Sequence, residues 1–147
     1  MSIAPELLIV EIGDAHDRMQ QAWEIRRRVF IEEQHVPEEI ELDADDSRAF
    51  HVLALEDGRP VGCGRMLDHG AYVKIGRMAV VRERRGAGVG RRILEFLIES
   101  ARRRGVKRVM LDAQVHAEGF YRKQGFTPMG DVFEEAGILH RRMQRTL

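Results

Sequence analysis

The stretch Ile75 to Leu97, IGRMAVVRERRGAGVGRRILEFL, constrains this chain more than any other. An apolar run of strand character enters a turn that is flanked by arginines and carries Gly86, Gly88 and Gly90, and a helical apolar pattern follows. Glycines let a backbone come close to a ligand and turn its N–H groups toward an anion. The helix start adds unpaired N–H groups and a partial positive charge, and Arg84, Arg85 and Arg91 add full charges. The segment therefore reads as a phosphate cradle between a strand and a helix. A dinucleotide-binding fingerprint competes with this reading, since Asp112 ends the next strand where a ribose ligand would stand. It fails on spacing. Arg91 takes the place of the third glycine, VRERR separates the strand from the glycines, and too little chain remains for a doubly wound sheet.

Charge is segregated along the chain although its formal total is zero. Glu32 to Asp46 holds eight carboxylates and no Lys or Arg, whereas Lys74 to Arg108 holds twelve basic residues against three acidic ones. The basic stretch suits phosphates, and the acidic stretch is placed to steer a cationic amine toward a rim. Zero net charge and the lack of interleaved aromatics argue against nucleic acid as a partner. The lone Cys63 cannot form an intramolecular disulfide, no Cys or His spacing suggests a metal, and no run reaches the length of a membrane span. These features suggest a soluble protein of the reducing cytoplasm. At 147 residues and 44% apolar content the expectation is a single domain with one core, spanning residues 1–147.

Hydrophobic periodicity orders the elements. Leu7 to Ile12 reads as a strand, followed by a helix capped by Asp14 and ending near Gln34. The acidic stretch around Pro37 reads as a loop with at most a short helix, a natural substrate rim. Phe50 to Leu55 and Pro60 to Leu67 form a hairpin about Asp57-Gly58, and Tyr72 to Val81 is the next strand. Ala87 to Arg104 is an amphipathic helix stopped by Gly105. Val106 to Gln114, a short helix Ala117 to Gln124, and strands Phe126 to Val132 and Ile138 to Arg145 complete the chain. Cys63, between two glycines, suggests close packing, and the runs Arg26 to Arg28 and Arg102 to Arg104 read as solvated helix faces.

Arg85, Gly88 and Gly90 stand as in the central motif of the GNAT superfamily of acyl-CoA-dependent N-acetyltransferases, which the chain resembles from about Lys74 to Phe126. Gln114, Ala117, Phe120, Tyr121, Gly125 and Phe126 resemble a second motif of that family at the expected distance. VFIEEQ at Val29 to Gln34 and GILHRRM at Gly137 to Met143 are similar to segments of small bacterial members. Arg82 and Gln114 depart from the family's usual proline and asparagine. The resemblance implies an α+β fold: a mixed, mostly antiparallel sheet of about seven strands flanked by about four helices. It implies acetyl-CoA as co-substrate and no metal, with pyrophosphate on Arg84, Arg85, Gly86, Ala87, Gly88, Val89, Gly90 and Arg91. Met78, Ala79 and Val80 would pair with the pantetheine arm, and Gln114 would make a polar contact. Tyr121 matches the residue that protonates the leaving thiolate, as general acid.

The implied reaction is direct acetyl transfer to a primary amine of a small molecule or a lysine side chain, without a covalent enzyme intermediate. A base must still take the amine's proton. Glu33, at the junction of the first helix and the acidic rim, is the first candidate, with His51, Asp112 and His116 behind it; His51, His116 and His140 read more simply as structural. The alternative to an enzyme is an acyl-CoA-binding sensor that keeps the cradle without turnover. Related small proteins also pair through their final strands, which implies a homodimer.

Overall fold

The computed structural model describes residues 6–147. Strand β1 (Leu7–Glu11) leads to helix α1 (His16–Arg26), whose last turns widen into a π-helix over Arg27–Glu33. The short helix α2 (Glu38–Glu41) and a turn of 3-10 helix follow, then β2 (Phe50–Glu56), β3 (Arg59–Asp68) and β4 (Val73–Val80). Helix α3 (Val89–Arg103), β5 (Arg108–Gln114), helix α4 (Glu118–Lys123), β6 (Thr127–Pro128), β7 (Phe133–Glu135) and β8 (Ile138–Thr146) complete the order. The strands build one sheet in the order β1-β2-β3-β4-β5-β8-β6, with β7 also paired to β8. Among the described residues only β4 and β5 run parallel, and every other pair is antiparallel. This is the mixed α+β class expected from the chain, with eight strands instead of seven.

Two expectations about the elements need correction. The strand expected over Phe126 to Val132 is broken after Pro128, which brings no N–H to a ladder, and Gly130 turns with φ of 85°. Pairing resumes only at Phe133, as β7. Nor does Asp14 cap α1: the chain turns through Gly13, Ala15 N–H bonds Ile12 C=O at 3.1 Å, and Ala15 becomes the cap without a side-chain bond.

Alternation along β3 places the helices on the two faces of the sheet. The Cys63 thiol lies 3.9 Å from Ala22 C=O of α1, while its neighbours Gly62 and Gly64 lie under α3. A Cβ on Gly62 would stand 2.8 Å from Ile93 Cδ1 and 3.1 Å from the Ala79 carbonyl oxygen, so the close approach of α3 depends on the glycine. Ile93, Leu94, Leu97 and Ala101 drive α3 into the core, where they are fully buried together with Val52, Val73 and Val109.

Candidate active site

The sheet opens at its centre. β4 and β5 pair over three residues only, Val73–Val109 to Ile75–Leu111, and then part. A bulge marks the place: Cys63 faces Ala79 but Arg65 faces Gly76, so β4 carries one extra residue opposite Gly64, and Arg77 takes a φ of 49°. Bulges bend a strand and raise its twist, and the bent half of β4 leaves β5 behind. A cleft of about 660 Å³ occupies the gap. Gly76 to Val80 line one wall, Leu111, Asp112 and Gln114 the other, and Phe120 and Tyr121 of α4 close one end.

Arg77 is held in its strained conformation by its own side chain. It donates to the Ile40 and Glu41 carbonyls at 3.2 Å each and pairs with Asp43 at 3.1 Å. Arg65 grips the same Asp43 with two bonds, at 2.7 and 2.8 Å, and reaches Asp46 at 2.8 Å. Arg26, 2% exposed, bonds Glu41 at 2.5 Å and Asp46 at 2.8 Å. Part of the acidic segment is therefore no free rim: Glu41, Asp43 and Asp46 are spent on three arginines, and Glu41, Asp43, Arg65 and Arg77 line the cleft. Nor is Arg26 a solvated helix residue like its exposed neighbour Arg27. Successive helix positions point about 100° apart, so one member of the run meets the carboxylates while another meets water. Hydrogen bonds from Arg65 hold the Asp43 carboxyl down at about 2. Burial works to lower the Arg26 guanidinium, but Asp46 and Glu41 outweigh it and the net shift is upward.

At the mouth of the cleft lies the glycine turn. Gly86 and Gly88 have φ of 80° and 86°, and Gly88 caps α3 with no side chain bonded to the helix's first N–H groups. Val89, Gly90 and Arg91 form the first turn, whose amide hydrogens are the ones an α-helix leaves unpaired. A Cβ on Gly90 would lie 3.8 Å from both Phe120 and Val80, so this turn abuts the cleft wall. The arginines divide. Arg85 lines the cleft, bonding Val80 C=O at 3.0 Å and Glu33 at 2.8 Å. Arg84 is held by Glu56 at 2.7 Å, Arg91 lies 3.5 Å from Glu95, and Ala87 lies within the turn.

Met78, Ala79, Val80, Arg85, Gln114 and Tyr121 thus share one cleft, with the residues from Gly86 to Arg91 beside it. Glu33 does not line the cleft; its carboxylate faces Arg85 and, at 3.7 Å, Arg82. His51 also lies outside, its Nε2 2.8 Å from Asp46 C=O, and burial beneath the arginines lowers its pKa. Asp112 lines the cleft but is held by Lys74 and Arg142, each at 2.9 Å. The Tyr121 hydroxyl lies 3.9 Å from Met78 Sδ, and burial pushes the phenol up to about 12. Burial likewise raises the Cys63 thiol to about 12, far from thiolate chemistry.

Sequence reasoning gave no role to Gln34. Its Oε1 accepts a 2.9 Å bond from Gln114 Nε2, tying the end of the π-helix to the end of β5 across the cleft. The wide π turn sets that position; its sequence signal was VFIEEQ, with nothing local to show what Gln34 would meet.

A sheet split at its centre, with an uncapped helix start at the mouth of the split, defines an acyl-CoA-dependent transferase fold. The chain belongs to the GNAT acetyltransferase family, whose domain matches residues 14–147, and is an acyl-CoA-dependent N-acetyltransferase. An uncharacterized N-acetyltransferase of Bacillus subtilis, YjcF, is 33% identical over 135 residues, covering 91% of this chain and 96% of the relative. The crystal structure of Escherichia coli ElaA has a TM-score of 0.83 at 29% identity, over 96% of this chain and 99% of that one. An aminoglycoside 6'-N-acetyltransferase complexed with coenzyme A shares the fold, with a TM-score of 0.76 at 17% identity over 95% and 96% of the two chains. No helix among the described residues is long and apolar enough to cross a membrane.

Proposed function

We propose that the chain moves an acetyl group from acetyl-CoA directly to a primary amine of a small molecule or a lysine side chain. The observation that carries this reading is the parting of β4 from β5 after three residue pairs, which leaves the Gly76 to Val80 backbone along a cleft beside the glycine turn. The pantetheine arm would lie against Met78, Ala79 and Val80 as an added strand does, with the pyrophosphate on the N–H groups from Gly86 to Arg91. Arg85 would exchange Val80 C=O for a phosphate. One N–H of β4 would polarise the thioester carbonyl, a contribution of about 3 kcal/mol in comparable sites.

Direct attack by the amine is supported by the burial and high pKa of Cys63, the only cysteine. Tyr121 would meet the departing sulfur. Its phenol, at about 12, stays protonated throughout the neutral range and so is always in the donor form. A cationic acceptor would meet the exposed Glu38, Glu39 and Glu135, since Glu41 and Asp43 are engaged by arginines.

Isothermal titration with acetyl-CoA tests the cradle. Gly90→Glu is the informative variant: its Cβ enters ordinary contact space and no positive φ is involved, so folding is kept while a carboxylate enters the cradle. Binding to the wild type and its loss in the variant, at unchanged melting temperature, are expected. Wild-type protein that gives neither heat nor a thermal shift at millimolar acetyl-CoA would overturn the reading. Thiol release with spermidine, a lysine peptide and an amino sugar then ranks acceptors.

A further inference from the structure

The proposed transfer leaves one step without a residue: an alkylammonium must lose a proton before its nitrogen can attack. Glu33 is locked to Arg85, Asp112 lies between Lys74 and Arg142, and His51 is buried against Asp46 outside the cleft. His140 differs from all of these. It is half-buried on β8, lines the cleft, and stands opposite Gln114 in the β5–β8 ladder, where paired side chains lie roughly 5 Å apart. Its ring is fixed twice: Nδ1 is 2.8 Å from Ile138 C=O, and one face stacks on Phe133 with centroids 5.8 Å apart and 20° between planes. A carbonyl can only accept, so Nδ1 carries the hydrogen and the neutral ring holds its lone pair on Nε2, which has no protein partner among the described residues.

We propose that His140 is the general base of the transfer, with Nε2 taking the amine's proton directly or through one water. This rests on the amine-acetylation reading above. The proton moves from the ammonium to Nε2, and the freed lone pair attacks the thioester carbonyl carbon. The C–N bond forms, the C–S bond breaks, and the sulfur leaves with the bonding pair. The nitrogen's second proton ends on sulfur through the Tyr121 hydroxyl, and the imidazolium returns its proton to solvent, leaving amide, CoA thiol and one proton.

The groups facing His140 leave its lone pair free. From β5 come the uncharged Gln114 and, one step diagonally, Asp112 with its two cations; from β8 comes Arg142, bound to that same Asp112. β7 contributes Phe133 and the exposed Glu135, and beyond β5 lie the exposed His116 and Glu118, which Arg141 holds at 2.8 Å. None donates a hydrogen bond to Nε2.

His140→Asn is the decisive variant, because its amide can still donate to Ile138 C=O while lacking a base at the Nε2 position. Acetyl-CoA affinity and melting temperature are expected to match wild type. Turnover with the best acceptor should fall about 10²- to 10⁴-fold, and the acid limb of the wild-type pH profile should vanish. Independently of any acceptor, a long-range proton–nitrogen correlation spectrum of the free enzyme should show the neutral ring with hydrogen on Nδ1. The opposite tautomer overturns the proposal, as does a variant that keeps its rate and its acid limb, or an acid limb lost in His116→Asn but kept in His140→Asn. Loss of acetyl-CoA binding in the wild type would instead sink the acetylation reading, so the two failures are distinguishable.

Discussion

In the proposed reaction Tyr121 and His140 stand at the two ends of the proton's route, and they differ in how far the sequence announces them. Tyr121→Phe should retain acetyl-CoA affinity and lose about 10²-fold or more in turnover, because only the leaving sulfur would feel the missing hydroxyl. Titration calorimetry beside single-turnover kinetics checks both halves of that statement. The place of Tyr121 and Gln114 in the cleft was legible because each belongs to a short stretch around one strand end and one helix, so local spacing carried the reading. His140 was read as structural because its setting is non-local: Ile138 C=O fixes its tautomer, Phe133 its plane, and the register with Gln114 its place in the cleft. Glu33 illustrates the converse, a carboxylate correctly placed near the mouth whose Arg85 partner lies 52 residues away.

Among the elements, the acidic segment shows how charge patterning can be read correctly while the partners of some of its carboxylates go unseen. Its carboxylates are real, but the matching cations come singly from α1, β3 and β4, and no window along the chain brings them together. Arg26→Ala would strand Glu41, itself 2% exposed, and should cost about 3–5 kcal/mol in urea unfolding. Replacing both by Met and Leu should cost less than either single loss, which a double-mutant cycle reads directly. Gly62→Ala tests the other face of the sheet: overpacking against Ile93 and the Ala79 carbonyl should destabilise by about 1–3 kcal/mol. The order and type of the long elements were legible from period alone. The π-widening of α1 and the split of the sixth strand were not, since the first is set by what the helix end meets and the second by one proline and one turning glycine.

For the whole molecule, shifted groups at both ends shape the pH range of stability, Asp43 on the acid side and Tyr121 with Cys63 on the alkaline side. Asp43 binds its proton less tightly folded than unfolded, so its contribution is complete above about 4 and is lost as pH falls toward about 2. Tyr121 has the opposite sign: its contribution is complete below 10 and disappears between there and about 12. Melting temperatures should decline in both windows, less steeply on the acid side in Asp43→Asn and on the alkaline side in Tyr121→Phe, with Cys63 keeping part of the alkaline decline.

The parting of β4 from β5 has one more consequence. Sheet proteins usually guard their outermost strands, because unpaired backbone there recruits other chains into aggregates. Here additional unpaired backbone lies in the middle of the sheet, walled by β5 on one side and closed at one end by α4. Walls on both flanks keep a second sheet edge from docking flat against it, while an extended arm with amide groups of its own can pair along it. The interior edge is thus selective by access: its pairing groups are kept for a ligand that enters the cleft and withheld from the edge-to-edge contacts that join sheets.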